Sequence, residues 1–169
     1  MAEGTNSQSL TSALPNRMPY AVAQIQGNAD SPNLRGTVQF FTAPGGTIVD
    51  ATLNGLPDMS LPTADPQVGP FGFHVHEGGS CTPTGGSDPF SDAGGHYNPT
   101  NQPHPLHAGD LPVLFPNNGF SHMRVYTDRF APKDVVGRTV IVHQMPDDFR
   151  TQPSGDSGMR IGCGVIQTF

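Results

Sequence analysis

The 169-residue sequence predicts an all-β fold, an eight-stranded antiparallel Greek-key β-barrel or sandwich with two long functional loops. Three observations predict it. Gly 21 and Pro 18 are high counts beside only 13% charged residues, which describes many turns between short elements rather than long solvated helices. Apolar residues recur at every second position in short runs, the period of a strand with one buried face. Between those runs lie two stretches without strand character, residues 78–105 and 144–159.

The elements follow in order. Residues 1–18 are rich in Ser, Thr, Asn and Ala, with neither a charged n-region nor an apolar h-region, and read as a flexible tail before a single domain over 19–169. Residues 20–26 form the first strand, ending at Gly27, and residues 36–41 the second, ending at the turn Ala43-Pro44-Gly45-Gly46. Residues 47–53 alternate Val49, Ala51 and Leu53 with Asp50 and Thr52. Residues 71–76 alternate Phe71, Phe73 and Val75 with Gly72, His74 and His76. Side chains at i and i+2 of a strand share a face, so His74 and His76 project together while Phe73 and Val75 enter the core. Residues 78–105 are dense in Gly, Pro, Ser and Asn; a loop of that length inside a compact domain is usually functional, and bound metal would order it. Strands at 111–115, 122–126 and 139–143 follow, then the second loop, and residues 161–166 close the set.

Composition excludes some functions. Net charge is -6 with a single lysine, Lys133, and no basic run, so no cationic surface is offered to nucleic acid. No apolar stretch approaches the roughly 20 residues needed to span a bilayer.

Six of the seven histidines, all but His122, fall into one ordered pattern: His74-Val75-His76, His96, His104-Pro105-Leu106-His107-Ala108-Gly109-Asp110, and His143. With Asp110 they supply ligands enough for two metal ions. Imidazole nitrogens suit copper and zinc, and histidines with a carboxylate suit tetrahedral zinc. His74, His76 and His143 come from strands and with His96 make a copper site. His104, His107 and Asp110 with His96 make a closed zinc site, and His96 then serves both metals as an imidazolate. Any one histidine alone is more often a surface or satisfied core residue, and His122 is read that way; the ordered combination is not. Two cysteines 82 positions apart in an arbitrary intracellular chain are more often free thiols. Here Cys81 opens the loop after the His-x-His strand and Cys163 lies in the terminal strand close after Arg160, so a disulfide is expected, contributing about 3–5 kcal/mol if unstrained.

These residues resemble the copper/zinc superoxide dismutases, with the likeness spanning residues 20–166. Phe71-Gly72-Phe73-His74-Val75-His76-Glu77 looks like that family's copper-ligand strand, and Gly94-Gly95-His96-Tyr97-Asn98-Pro99 like its bridging-histidine segment. His107-Ala108-Gly109-Asp110-Leu111 resembles the end of the zinc loop. Gly137-Arg138-Thr139-Val140-Ile141-Val142-His143 resembles the last copper-ligand strand, and Gly158-Met159-Arg160-Ile161-Gly162-Cys163-Gly164-Val165-Ile166 the C-terminal signature.

The resemblance implies an immunoglobulin-like Greek-key barrel that disproportionates superoxide to dioxygen and hydrogen peroxide, with copper cycling between Cu(II) and Cu(I) and zinc structural. It implies that His96 is both ligand and proton carrier, and that Arg160 holds the incoming anion by a charge-assisted hydrogen bond. Asp147 matches the outer carboxylate that links a copper histidine to a zinc histidine. The disulfide Cys81–Cys163 would also position Arg160. Superoxide is the implied substrate, and a homodimer is the common assembly of the family. The exported bacterial type is the nearer likeness, which implies a secreted, periplasmic or cell-envelope location, although disulfide-containing cytosolic members leave the cytoplasm open. Three departures from the family stand out: the segment from His104 to His107 is shorter than usual, the loop from Cys81 to His96 is longer, and the segment 144–159 is trimmed and lacks the lysines that steer superoxide in many members, with Arg150 as a partial replacement. The alternative function is a non-enzymatic copper- or zinc-binding protein of the same fold, a buffer or delivery protein. Such relatives would be expected to lack a copper histidine or the arginine, and both are present here.

Overall fold

The computed structural model describes residues 18–61, 63–64, 67–83 and 89–169, so all but the last residue of the expected tail lies outside the described residues. Among the described residues seven strands form one antiparallel sheet: β1 (Ala21–Gly27), β2 (Arg35–Ala43), β3 (Gly46–Asn54), β4 (Phe73–His76), β5 (Ser121–Thr127), β6 (Thr139–His143) and β7 (Arg160–Thr168). Their order is β4-β6-β7-β1-β2-β3-β5. The connections β3 to β4, β4 to β5 and β5 to β6 each cross the sheet, which is the Greek-key character expected.

Alternation builds the core. Along β1, Ala21, Ala23 and Ile25 are buried while Gln24 and Gln26 face out. Residues of six strands, among them Ile25, Phe40, Leu53, Phe73, Val142 and Ile166, form one cluster, and Met123 and Val125 of β5 pack against it. One sheet contributes six strands to that core, so it must curl, and loop residues such as Tyr97, Leu114 and Phe130 complete the enclosure. Burying each large side chain contributes roughly 1.5–3 kcal/mol.

The eighth expected strand, 111–115, is reduced to one isolated bridge between Leu114 and Phe71. The two residues exchange both backbone bonds, at 2.8 and 2.9 Å. Pro112 and Pro116 on either side lack the N–H groups that would extend the ladder. The other seven strands form within two residues of their expected ends.

Two features position the site. The outer edge of β4 is covered by the long loop rather than by a strand: Val75 N donates to Gly109 O at 2.9 Å, Tyr97 N to Val75 O at 2.8 Å and Glu77 N to Gly95 O at 2.9 Å. This lays Asp110 beside His74 and His96 beside His76. At Gly109 a Cβ would lie 2.2 Å from Val75 O, so only glycine permits the approach. A register shift between Val142 and His143 sets His143 opposite Arg160 at the end of the β6–β7 pair. The expected disulfide Cys81–Cys163 is formed, with Cα atoms 5.6 Å apart. It sits in a small apolar cluster with Phe90, Ala93 and Ile141, which packs the loop onto the sheet wall.

Candidate metal centre

Three histidines come from strands. His74 and His76 of β4 and His143 at the end of β6 are all buried. Each spends one ring nitrogen on a fixed partner. His74 Nε2 meets Asp147 Oδ2 at 2.8 Å, His76 Nδ1 meets Gly94 O at 2.9 Å and His143 Nδ1 meets Gly158 O at 3.2 Å. The opposite nitrogens, His74 Nδ1, His76 Nε2 and His143 Nε2, are left to face one another, and the last two are 3.2 Å apart. With His96 these residues form a group whose ligand atoms all lie within 4.8 Å of one another. Burial, reinforced by neighbouring histidines, holds His74 and His76 well below the usual imidazole range. Burial likewise pushes His143 down to about 3. Rings so depressed are neutral near pH 7, with lone pairs available to a metal.

The second group comes from the loop. His96 Nδ1 lies 2.7 Å from Asp110 Oδ1, and His107 Nδ1 lies 3.4 Å from both His96 Nδ1 and Asp110 Oδ1. His104 Nδ1 is 3.1 Å from Asp110 Oδ2 yet makes no hydrogen bond. These four residues also place one ligand atom each within 4.8 Å of the others. Burial would raise the Asp110 carboxyl, but the His96 hydrogen bond and the surrounding histidines outweigh it and hold the group below its ordinary value. Burial lowers His107 in spite of the adjacent Asp110.

His96 belongs to both groups. Its Nδ1 faces Asp110, and its Nε2 is buried without a partner. The His96 and His74 rings are 4.0 Å apart between centroids. Asp147 joins the groups a second time, since Oδ2 takes His74 and Oδ1 takes His104 Nε2 at 2.9 Å. Gly155, at φ +70°, makes room for that bridge: a Cβ there would stand 2.0 Å from Asp147 Oδ1 and 2.8 Å from His104 Nε2.

The donor set fits two metal ions. Among the described residues four buried side-chain atoms lack a hydrogen-bond partner, and three of them are His74 Nδ1, His96 Nε2 and His104 Nδ1. Each such atom costs about 1–3 kcal/mol when left unsatisfied. His104 Nδ1 stands 3.1 Å from Asp110 Oδ2, and His107 Nδ1 stands 3.4 Å from His96 Nδ1, so ring nitrogens and a carboxylate crowd one point as ligands of a shared ion do.

A cavity of about 510 Å³ opens onto the first group, lined by His76, His96, His143, Glu77, Ser154 and Arg160 among others. Arg160 Nη1 donates to Phe90 O at 2.8 Å and Nη2 to Gly94 O at 2.9 Å. The Gly94 carbonyl therefore accepts from both His76 and Arg160. A larger groove of about 580 Å³ is lined by Pro105, Asp110, Leu111, Tyr126, Arg129 and Phe149 among others, with neither Arg160 nor a histidine of the first group in its lining.

The structure thus brings together His74, His76, His96, His104, His107, Asp110, His143, Asp147 and Arg160. His122 stays apart on β5, where it meets Asp50 at 3.0 Å. Sequence reasoning missed the carbonyls of Phe90, Gly94 and Gly158, because a backbone acceptor leaves no mark on residue type. The glycines at 94, 155 and 158 were the available signal, since all three hold positive φ.

Comparison with known proteins agrees with this architecture. A family model described as copper/zinc superoxide dismutase (SODC) matches residues 34–166. A relative from Deinococcus radiodurans, "Superoxide dismutase [Cu-Zn]", is 35% identical over 149 residues, covering 78% of this chain and 76% of that protein. "Extracellular superoxide dismutase [Cu-Zn]" of Rattus norvegicus is 30% identical over 167 residues, 90% of this chain and 64% of that protein. Among solved structures, a Cu/Zn superoxide dismutase from Brucella abortus superposes with a TM-score of 0.69 at 30% identity, covering 86% of this chain and 98% of the other. A match over most of the length, in sequence and in fold, leaves one conclusion: the chain belongs to the copper/zinc superoxide dismutase family.

Proposed function

We propose that this chain disproportionates superoxide, 2 O₂⁻ + 2 H⁺ → O₂ + H₂O₂, with copper held by His74, His76, His96 and His143 and zinc by His96, His104, His107 and Asp110. The observation that carries the reading is the convergence of partnerless buried nitrogens beside a cavity that also presents Arg160. Copper, when bound, supplies the one-electron exchange with each superoxide, and zinc fixes the loop and polarises the shared histidine.

The chain's residues do the rest. Arg160, held by two carbonyls, anchors the substrate anion in the cavity by charge-assisted hydrogen bonding. His96 holds a proton at Nε2 in one half-cycle and returns it in the other, while its Nδ1 stays with the Asp110 side. His143 and His76 remain neutral ligands throughout the physiological range. Asp147 orients His74 and His104 together. A buffer or delivery protein would have no use for an arginine fixed beside the first group.

Residues 19–169 act as one domain carrying both metals. No helix among the described residues is long and apolar enough to cross a membrane. The chain works in an exported, oxidising compartment; the disulfide and the extracellular rat relative support that placement.

Metal content per chain after reconstitution, measured with superoxide decay on the same sample, tests the reading. One copper and one zinc with rapid decay are expected. His143→Ala should lose copper and keep zinc, and its activity should fall by more than the roughly 10–100-fold typical of losing an outer partner. Stoichiometric metal without catalysis would point to storage or delivery instead.

A further inference from the structure

We propose that Gln152 and Arg129 are positioning residues for the zinc ligands, clamping the short segment that carries His104 and His107 from two distant parts of the chain; this rests on the zinc assignment above. Only Pro105 and Leu106 separate the two histidines, and no strand or helix contains them. Their geometry must therefore come from outside the segment.

Gln152, 48 residues away, supplies one clamp. Its Oε1 accepts from His104 N at 3.0 Å and its Nε2 donates to His104 O at 2.7 Å, so one carboxamide pairs with both polar groups of one residue. Among side chains only Asn and Gln carry a carboxamide, which sets an acceptor and a donor side by side on one planar neutral group, and the same loop supplies Asp147 for the ring of that histidine. His104 is thus held by its backbone and by its Nε2, which leaves Nδ1 aimed at the group without freedom to turn.

Arg129 supplies the second clamp from the end of β5. Its Nη1 donates to Pro105 O at 3.1 Å and to His107 O at 3.0 Å. One nitrogen spans the two carbonyls and fixes the bend between the ligands. The segment's own bonds are Leu106 N to Pro103 O, His107 N to Asp110 Oδ2 and Asp110 N to His107 O, so His104 N, His104 O and Pro105 O depend on these two side chains.

The test measures zinc affinity by chelator competition on the purified full chain, together with the visible spectrum of the cobalt(II)-substituted protein. His107→Ala comes first: it must lose zinc, and retention there would sink the zinc assignment rather than the clamp. Gln152→Ala and Gln152→Met should each weaken zinc by about tenfold or more, within the range known for outer partners of metal ligands. Both should shift the cobalt bands and leave copper affinity within about threefold. Methionine keeps the length of glutamine without its hydrogen bonds, so wild-type affinity in Gln152→Met would overturn the clamp. Arg129→Met should weaken zinc less, about threefold, because that bond is more exposed to water, and Arg129→Lys should recover part of the loss. Unchanged zinc affinity and unchanged cobalt spectra in both Gln152 variants would refute the proposal.

Discussion

The two ligand groups are built from different materials. His74, His76 and His143 stand on β4 and β6, which pair directly, so the backbone ladder sets their spacing and strand alternation sets their face. His96, His104, His107 and Asp110 lie on a loop that has no ladder of its own. That loop borrows the edge of β4, a disulfide to β7, the Asp147 bridge and the bonds from Gln152 and Arg129. A site on strands inherits its geometry from the fold, whereas a site on a loop must be tied at many separate points. The ties are where the second group can be undone without touching a ligand.

The largest expected effect comes from cutting the covalent tie. Replacing Cys81 and Cys163 by serine should lower unfolding free energy by about 4–5 kcal/mol, the amount chain-entropy reasoning assigns to an 82-residue separation. Denaturant titration of oxidised wild type and the double variant measures it. The loop side should suffer first, seen as faster amide exchange over 89–96 than along β4. Equal loss of protection on both sides would remove the contrast between them.

Next comes the bridge between the groups. Gly155→Ala should push a methyl group into Asp147, and Asp147→Leu should delete the carboxylate. Each should weaken zinc by roughly 10–100-fold. Copper should suffer less, because His74 keeps its strand while His104 has only its clamps. Competition titrations for each metal, run separately, give the two ratios.

The last effect, confined to the metal-free chain, concerns protons on the strand side. In the metal-free chain His143 binds a proton only near pH 3, whereas its unfolded counterpart does so near 6.5. Between those values the unfolded state binds more protons, so stability is full above about pH 6.5 and declines as pH falls toward about 3. His74 and His76, also held low by burial, act in the same direction. Thermal melts of metal-free protein from pH 7.5 to 4 should show a steady fall in Tm; a flat profile would mean that the pocket opens to water without its metals.

This contrast also explains what could be read from sequence. The His-x-His alternation in 71–76 and the run ending at His143 were legible because strand periodicity ties residue number to direction. The candidate ligands of the loop were legible as residue types and spacing, but their support was not. Gln152 lies 48 positions from the backbone it holds, and nothing in a lone glutamine announces that. The misjudged strand at 111–115 has the same origin. Its apolar residues do face inward at Leu111 and Leu114, but apolar pattern speaks of burial, and the flanking prolines govern whether pairing follows.

The Gly94 carbonyl, shared by His76 and Arg160, has a consequence for how this protein can change over generations. A main-chain oxygen is encoded at every position, so no codon change can erase it as one erases a side chain. The alignment between the His76 ring and the Arg160 guanidinium is therefore shielded from most single substitutions. It drifts only when the path of the chain around residues 90–95 is redrawn, and lineages that lengthen or shorten this loop are where altered substrate capture should first arise.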